Sequence, residues 1–492
     1  MIRTVPREFI LGAATAAYQV EGAVREGGRL PSVWDRWLYR AASTFQAERA
    51  SDSYHHFRQD IHHCAQQHIQ ALELSFSWTR LLDEEGNPNP AGLLYYDAVI
   101  DECVTSGVEP WVALYQFDLP AYLAEQGGWL QPLTTERFLQ YAQLCFEHFG
   151  DRVHHWLTLK DPVTETVNAY VTGLFPPGEQ AGAGKALQAL TRKLVAHAQA
   201  VNLYRQLGGR GEIGLAHRAE SVYPYEDTEA DQHAAMLDDA FTNRFLLDLV
   251  LTGELQQETR QALLEILQGK PLPCSLTADE RQALQRAAGQ LDFLGVNYYA
   301  SHFCTAWHGE SVVHHNGSGQ RGTTTYALRG ISRRLQKTDV PTTDWDWSIF
   351  PQGLYDMLMR IHRDYPDKPI YITENGLGCR EALEEGTVED DDRIDYIRQH
   401  IAAVLDAMED GVDVRGYFVW SLVDCMSWTN GYEKRYGLFY VDYADGHRYP
   451  KKSVHWYGDF ARRRLMLTVS GGLQTSFATQ NLSHSHSESG EV

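Results

Sequence analysis

The sequence predicts a protein of class α/β built as a single (β/α)8 TIM barrel. Three observations predict this fold: short apolar segments rich in β-forming residues recur along the chain, polar residues follow each of them, and helical periodicity lies between most of them. Strands that alternate with helices pair in parallel, and eight repeats fit a closed barrel better than an open sheet. The predicted strands are, in order, FILGAA at 9–14, LELSFSW at 72–78, WVALYQF at 111–117, HWLTL at 155–159, IGLAH at 213–217, FLGVNYY at 293–299, IYITE at 370–374 and VRGYFVW at 414–420.

Segments with helical periodicity separate most of these strands and account for the alternation. An open, doubly wound sheet is the alternative to a barrel. That fold would carry a glycine-rich G-x-G-x-x-G turn after its first strand, but the next glycine after Gly12 is Gly22. The barrel is therefore favoured. The predicted helices include 93–104, 138–149, 186–207, 354–365 and 394–408.

Composition and charge are those of a globular protein and exclude two classes of partner. The chain has 492 residues, of which 43% are hydrophobic and 22% are charged, which is an ordinary globular profile. Its net charge of −22 would repel phosphate groups, so we expect no nucleic-acid partner. No apolar segment approaches the ~18 residues that span a bilayer, so we expect no membrane partner.

The cysteines and the chain ends indicate a cytoplasmic, single-domain protein. Seven cysteines without a C-x-x-C pair are typical of reduced thiols rather than of a disulfide framework or a metal site. The apolar segment at 9–18 is short for a signal peptide, and Gln19 and Glu21 follow it without a break. We expect the barrel domain to span 1–468 and the Ser-, Gly- and His-rich tail at 469–492 to be disordered.

Two carboxylates follow predicted strands and are candidates for catalysis. Glu374 ends the seventh strand in Thr-Glu-Asn-Gly, and Asp161 follows the fourth in Leu-Lys-Asp-Pro. A barrel brings the carboxyl ends of all its strands to one rim, where catalytic residues of this fold lie. Retaining glycosidases need two carboxyl groups ~5–5.5 Å apart, one as nucleophile and one as proton donor. Glu-Asn-Gly taken alone could also be a simple turn cap, but amides and aromatic residues at the other strand ends favour a carbohydrate site.

At several of these strand ends the sequence resembles glycoside hydrolase family 1, from about residue 9 to 467. The resemblance implies that Glu374 is the nucleophile that forms a glycosyl-enzyme ester and that Asp161 stands at the position of the acid/base. It implies no metal and no organic cofactor. It also places four residues at sugar-contacting or nucleophile-supporting positions, namely Gln19, Asn297, Tyr299 and Trp420. The matching stretches are LGAATAAYQVEG at 11–22, SFSWTR at 75–80, 118–120, 293–299, YITENG at 371–376 and GYFVWSLVD at 416–424.

A segment near the C-terminus resembles the 6-phospho-β-galactosidase branch of this family. Ser427 occupies the place where members that bind plain sugars carry a glutamate, and Ser427, Lys434 and Tyr436 match the residues that hold a 6-phosphate. A hydroxyl, an ammonium and a phenol attract a dianionic phosphate that a carboxylate would repel. The alternative is a basic surface loop that lacks the glutamate. Trp347, in Thr-Asp-Trp-Asp-Trp, stands at the position associated with galactose over glucose preference.

Three residues depart from the family pattern at the catalytic centre. Lys160 and Asp161 stand where the family has Asn-Glu, and Gln116 stands where it has His. Asp161 is one methylene shorter than glutamate, and misplacement of ~1 Å can lower a rate ~10²-fold. Lys160 would also lower the pKa of Asp161 and leave it ionised when a proton is needed. Glu165, four residues on, is an alternative proton donor.

The predicted partner is therefore a small phosphorylated β-glycoside, and Gln116 and Lys160 are counted with its binding residues. Two other functions stay open at this point. One is a 6-phospho-β-glucosidase or an enzyme of dual specificity. The other is a homologue that binds the sugar phosphate but has little or no catalytic activity.

Overall fold

The computed structural model describes residues 2–40, 45–273 and 275–467, so the predicted tail at 469–492 lies outside the described residues. Eight parallel strands close into a barrel, which confirms the predicted fold. The strands in chain order are β1 (Ile2–Thr4), β2 (Ile10–Ala14), β3 (Ala71–Ser75), β4 (Glu109–Ala113), β5 (His155–Lys160), β6 (Glu212–Arg218), β7 (Val222–Pro224), β8 (Phe293–Tyr298), β9 (His302–Thr305), β10 (Val312–His314), β11 (Thr325–Leu328), β12 (Ser332–Leu335), β13 (Ile370–Asn375), β14 (Val414–Trp420), β15 (Phe439–Val441), β16 (Arg448–Pro450) and β17 (Leu465–Leu467).

Helices connect and surround the barrel strands, and the five predicted helices are confirmed. Several begin with local signals: Pro90, Pro132 and Pro351 stand in the first turn of their helices, and Thr277 caps a helix in a capping box with Glu280. The helices are α1 (Ala17–Val20), α2 (Val33–Arg40), α3 (Ser53–Gln66), α4 (Trp78–Leu81), α5 (Pro90–Thr105), α6 (Ala121–Glu125), α7 (Pro132–Phe149), α8 (Pro162–Val167), α9 (Ala183–Gln206), α10 (Glu229–Asp239), α11 (Phe245–Leu251), α12 (Gln257–Ile266), α13 (Ala278–Gln290), α14 (Pro351–Asp364), α15 (Asp391–Glu409) and α16 (Lys452–Arg463), with a 3-10 turn at Gly128–Leu130 and π-helical turns at Asn168–Thr172 and Ala240–Arg244.

The barrel follows chain order around its circumference, with strands β2, β3, β4, β5, β6, β8, β13 and β14 in sequence. Closure comes from β14, which pairs with β2 in parallel from Gly416 opposite Ile10 to Trp420 opposite Ala14. All eight strands therefore point their carboxyl ends towards the same rim. No helix among the described residues is both long and apolar enough to cross a membrane.

A five-stranded sheet outside the barrel is absent from the sequence-based prediction. It has the order β10, β11, β12, β9, β7, and its strands lie in the segments that follow β6 and β8. Because those segments begin at the carboxyl ends of barrel strands, the sheet stands beside the functional rim. A separate antiparallel pair joins β1 to β17, near the two ends of the described chain.

Trp111 fills the barrel interior near the amino-terminal ends of the strands. Its ring stacks on His155 with centroids 4.1 Å apart and meets Tyr371 at 4.7 Å and Phe418 at 5.0 Å. The side chain is fully buried. These aromatic contacts fill the barrel interior below the carboxyl rim.

We expect Trp111→Ala to lower the free energy of unfolding by about 3–5 kcal/mol, because it leaves a cavity among the rings of His155, Phe293, Tyr371 and Phe418. Urea titration followed by circular dichroism measures the change. Leu94→Ala is the control, since Leu94 is 70% exposed on α5 and should change stability by less than about 0.5 kcal/mol. A loss below about 1 kcal/mol for Trp111→Ala would contradict this description of the core.

Candidate active site

A cavity of about 340 Å³ opens at the carboxyl ends of the barrel strands. It brings together most of the side chains that the sequence predicts for the site. Three predicted residues, Lys160, Asn297 and Lys434, lie behind the cavity wall in contact with residues that line it. The predicted residues that line the cavity are Gln19, Gln116, Asp161, Tyr299, Trp347, Glu374, Trp420, Ser427 and Tyr436.

Glu374 lies near the end of β13 and is held at both carboxylate oxygens. The Tyr299 hydroxyl donates a hydrogen bond to Oε2 at 2.5 Å, and Lys160 Nζ lies 2.5 Å from Oε1. The Glu374 side chain is buried but still lines the cavity. Fixing both oxygens orients the carboxylate towards a single approach, which is what attack on one substrate atom requires.

Lys160 is the last residue of β5, and its side chain points into the barrel interior. Its Nζ lies 2.6 Å from Glu73 Oε1 as well as 2.5 Å from Glu374 Oε1, and all three side chains are buried. Burial opposes ionisation of the amine, but Glu374 and Glu73 outweigh it and raise the pKa of Lys160 above its usual value. The sequence predicts a sugar contact for Lys160; the structure places its ammonium between two carboxylates instead.

Glu73, on β3, belongs to this cluster and was missed by sequence reasoning. Burial raises the pKa of Glu73 to about 7; Lys160 opposes this rise and Glu374 adds to it. A signal for it was present, because a glutamate in the middle of a predicted barrel strand is a charge that needs a buried partner.

Asp161 follows β5 in a left-handed backbone conformation with φ of 49°, which aspartate adopts more readily than most residues. Asn297 Nδ2 donates a hydrogen bond to Asp161 Oδ1 at 3.0 Å, and Thr373 Oγ1 donates to Asn297 Oδ1 at 2.6 Å. The turn therefore lets two consecutive residues, Lys160 and Asp161, both face the inside of the barrel.

The protonation state expected for Asp161 is wrong. The sequence predicts that Lys160 leaves it ionised, whereas burial and then the charge of Glu374 raise the pKa of Asp161 to about 8. Lys160, Asn297 and Arg218 lower this pKa, but by less than burial and Glu374 raise it. The Lys160 ammonium is also engaged by the two glutamates. Asp161 therefore holds a proton at neutral pH.

Glu165 is not available as the alternative proton donor. It lies in α8, where Tyr115 Oη donates a hydrogen bond to one oxygen at 2.7 Å and Lys193 forms an ion pair with the other. Both oxygens are occupied, and Glu165 is not among the residues that line the cavity. Of the three carboxyl groups that the sequence offers for catalysis, those of Asp161 and Glu374 line the cavity, together with Glu220 and Asp346.

Two glutamine side chains present amide oxygens to the cavity. Gln19 Nε2 donates to the backbone oxygen of Met426 at 2.6 Å, which leaves Gln19 Oε1 without a partner among the described residues. The buried Oε1 of Gln116 likewise has no partner in the described part of the chain. Each oxygen could therefore accept a hydrogen bond from a hydroxyl group of a ligand.

The buried amine of Lys434 packs against the ring of Trp347, which lines the cavity. Lys434 Nζ is 3.4 Å from the centroid of the Trp347 ring, and within the described ranges it has no hydrogen-bond partner. Burial, and then the charge of Arg218, lower the pKa of Lys434 well below its usual value. Ser427 and Tyr436 line the cavity nearby, and Ser427 Oγ donates to Asn430 Oδ1 at 3.3 Å. An anionic ligand beside this amine would stabilise its charged form.

Arg218 also lines the cavity and was missed by sequence reasoning. Its guanidinium carbon lies 4.7 Å from the centroid of the Trp347 ring and 5.3 Å from that of Tyr299, and it pairs with Glu220 at 2.7 Å. It is the last residue of β6, directly after the predicted strand 213–217. Its place at the end of a predicted barrel strand is the sequence signal that points to it.

No group of three or more histidine, cysteine, aspartate or glutamate side chains in the described ranges is arranged to hold a metal ion. The carboxylate of Glu374, fixed at both oxygens, and the carboxyl group of Asp161, which holds a proton, can act together as a nucleophile and a proton donor.

Comparison with known proteins identifies a family over nearly the whole chain. The model of Glycosyl hydrolase family 1 matches residues 1–466. Proteins named 6-phospho-beta-galactosidase from Clostridium acetobutylicum and Lacticaseibacillus casei are each 43% identical over 465 residues. These alignments cover 94% and 93% of this chain and 98% of each relative.

Solved structures with the same architecture come from β-glucosidases. The Thermotoga maritima family 1 enzyme superimposes with a TM-score of 0.84 at 30% identity, covering 95% of this chain and 100% of that chain. The psychrophilic enzyme BglU from Micrococcus antarcticus gives 0.86 at 35% identity, covering 94% of this chain and 98% of that chain.

The raised pKa of Asp161 makes a prediction about stability and pH. The folded protein holds this proton up to about pH 8, whereas an unfolded chain releases it near pH ~4, so the Asp161 contribution destabilises the fold increasingly as pH rises between these values. We expect Asp161→Asn to be increasingly more stable than the parent from pH 5 to pH 8, on the order of a few kcal/mol, and constant above that. Thermal unfolding across this range measures it.

The exposed Asp279→Asn on α13 is the matched control, and its stability difference from the parent should not vary over the same pH range. A pH-independent difference for Asp161→Asn would contradict the raised pKa.

Proposed function

This chain belongs to glycosyl hydrolase family 1 and is a glycoside hydrolase, and we propose that its substrates are 6-phospho-β-galactosides, such as phosphorylated lactose, cleaved with retention at the anomeric carbon. The observation that carries the proposal is a continuous series of side-chain contacts that links Glu374 to the buried amine of Lys434. Glu374 bonds to Tyr299, whose ring lies 5.5 Å from that of Trp347, and Trp347 covers Lys434. The names of the relatives at 43% identity support the same substrate class.

In the first step we assign attack on the anomeric carbon to Glu374. A bond forms between that carbon and a carboxylate oxygen while the glycosidic bond breaks, and Asp161 donates its proton to the departing oxygen. The pKa of Asp161, raised to about 8, supports this role because the acid must be protonated at working pH.

In the second step water hydrolyses the ester. Asp161, now ionised, takes a proton from the water as its oxygen attacks the anomeric carbon, and the bond to Glu374 breaks. Esterification removes the negative charge of Glu374, which is the second largest cause of the raised pKa of Asp161. The pKa of Asp161 therefore falls when it must act as a base.

The phosphate would bind where Ser427, Lys434 and Tyr436 converge. Lys434 is a buried amine that lacks a charged partner in the described residues, and a dianion beside it would favour the ammonium form. Ser427 and Tyr436 line the cavity with hydroxyl groups that can donate to phosphate oxygens. Trp347 lines the same cavity and stands at the position that the family resemblance associates with galactose, which supports galactose over glucose as the sugar. We place the reaction in the cytoplasm, where phosphotransferase uptake delivers sugar phosphates.

Two observations favour second candidates. The solved β-glucosidases of the same fold favour a glucose-type substrate, as in a 6-phospho-β-glucosidase or an enzyme of dual specificity. The short side chain of Asp161 and the glutamine at 116 favour a binding protein with weakened catalysis. The tight hold on Glu374 by Tyr299 supports an active enzyme over this last candidate.

The substrate class is tested with nitrophenyl β-galactoside, with and without a 6-phosphate. We expect kcat/KM to be at least about 100-fold higher for the phosphorylated compound, because a buried amine gains an anionic partner. Lys434→Met should remove most of this preference and leave hydrolysis of the plain galactoside within about threefold. Lys452→Met, at a half-exposed lysine on α16, is the control and should change neither. Preference for the unphosphorylated compound would contradict the proposal.

Whether the Asp161 side chain is too short is tested by comparing turnover of two substrates that differ in their leaving group. Asp161→Glu extends the carboxyl towards the glycosidic oxygen, so we expect turnover of phosphorylated lactose to rise about tenfold or more. Turnover of the nitrophenyl substrate should change by less than about threefold, because nitrophenolate departs with little help from an acid. An equal change in kcat for both substrates would show that the length of the Asp161 side chain does not limit turnover.

A further inference from the structure

We propose that Lys160 is a positioning residue that orients the attacking carboxylate of Glu374, with Glu73 as its second anchor, and does not bind the sugar. The inference rests on the proposed function, in which Glu374 is the nucleophile. It assigns a role to a lysine that departs from the family pattern and to a glutamate that the sequence did not single out.

The three side chains come from strands that are not neighbours in the barrel. Glu73 lies on β3, Lys160 on β5 and Glu374 on β13, and at least one other strand separates each pair. No backbone hydrogen bond therefore joins any two of these three strands directly. The four-carbon stem of Lys160 spans the barrel interior and brings its Nζ within 2.6 Å of one carboxylate and 2.5 Å of the other.

The surroundings of the Lys160 ammonium exclude it from direct sugar binding. Two carboxylates take up its charge, and the ring of Trp420 lies 5.3 Å from Nζ. The side chain is 0% exposed and is not among the residues that line the cavity.

Glu73 gives the ammonium a partner during the step in which Glu374 has none. When Glu374 becomes an ester it loses its charge, and a lone buried cation would be left in the barrel. Glu73 lies 2.6 Å from the same nitrogen, and the loss of the neighbouring charge favours its own ionisation. The charge of Lys160 is therefore balanced by Glu374 in the free enzyme and by Glu73 in the intermediate.

The test compares Lys160→Met, Lys160→Arg and the double variant Lys160→Met/Glu73→Gln, all as full-length protein. A 2-fluoro sugar phosphate measures the rate at which Glu374 is labelled, by mass spectrometry. Calorimetry with galactose 6-phosphate measures binding independently of activity. Lys193→Met is the matched control, because Lys193 is also a buried lysine paired with a glutamate, Glu165, but outside the barrel interior.

We expect Lys160→Met to slow labelling of Glu374 at least about 100-fold while the Kd for galactose 6-phosphate changes less than about threefold. Lys160→Arg should recover part of the labelling rate, since it restores the charge. Lys193→Met should label within about threefold of the parent.

The double variant distinguishes two roles of Lys160, namely orienting Glu374 and only balancing the charge of Glu73. It removes both members of one buried pair, so it should fold even if Lys160→Met alone does not, and it should still label slowly. Labelling at the parent rate in the double variant would overturn the inference, as would a Kd that rises in proportion to the loss of rate. If the parent carries the label on a residue other than Glu374, the proposed function itself fails. Labelling of Glu374 at an unchanged rate in Lys160→Met overturns this inference alone.

Discussion

Closure of the barrel is the constraint on which the site depends. The side chains proposed for catalysis come from the ends of different strands, and closure of the ring of parallel strands brings those ends to one rim. Asp161 follows β5 and Glu374 lies in β13, yet both face one cavity. The aromatic cluster around Trp111 fills the interior beneath them. The rim is thus the place where polar groups can be held close together and still reach solvent.

The sequence predicted the barrel and its eight strands because these depend on local patterns, and it predicted nine of the residues that line the cavity from the strand ends and from the resemblance to glycoside hydrolase family 1. Short apolar strands, helical periodicity and polar strand ends can be identified without knowledge of contacts. The five-stranded sheet was missed because its strands, such as Ser332–Leu335, are short and charged and form only where neighbouring segments align them. Arg218 was missed because its role depends on two aromatic rings that come from distant segments.

The buried charges were the least predictable part of the site. From the sequence, Lys160 is the immediate neighbour of Asp161, and chain proximity predicted that it would lower the pKa of that residue. In the folded protein its ammonium is engaged by Glu73 and Glu374, and burial dominates the pKa of Asp161. The directions of the side chains, and strands far apart in sequence, decide which partners Lys160 and Asp161 meet. Neither is encoded in the spacing of the residues.

The pairing of β2 with β14 has a consequence for how the protein is made. Ile10 leaves the ribosome early, whereas its partner Gly416 is added near the end of the described chain. Until β14 has been synthesised, β2 lacks this barrel partner, and an unpaired strand edge is a template for aggregation. Closure of the ring is therefore a late step, which follows the synthesis of β14.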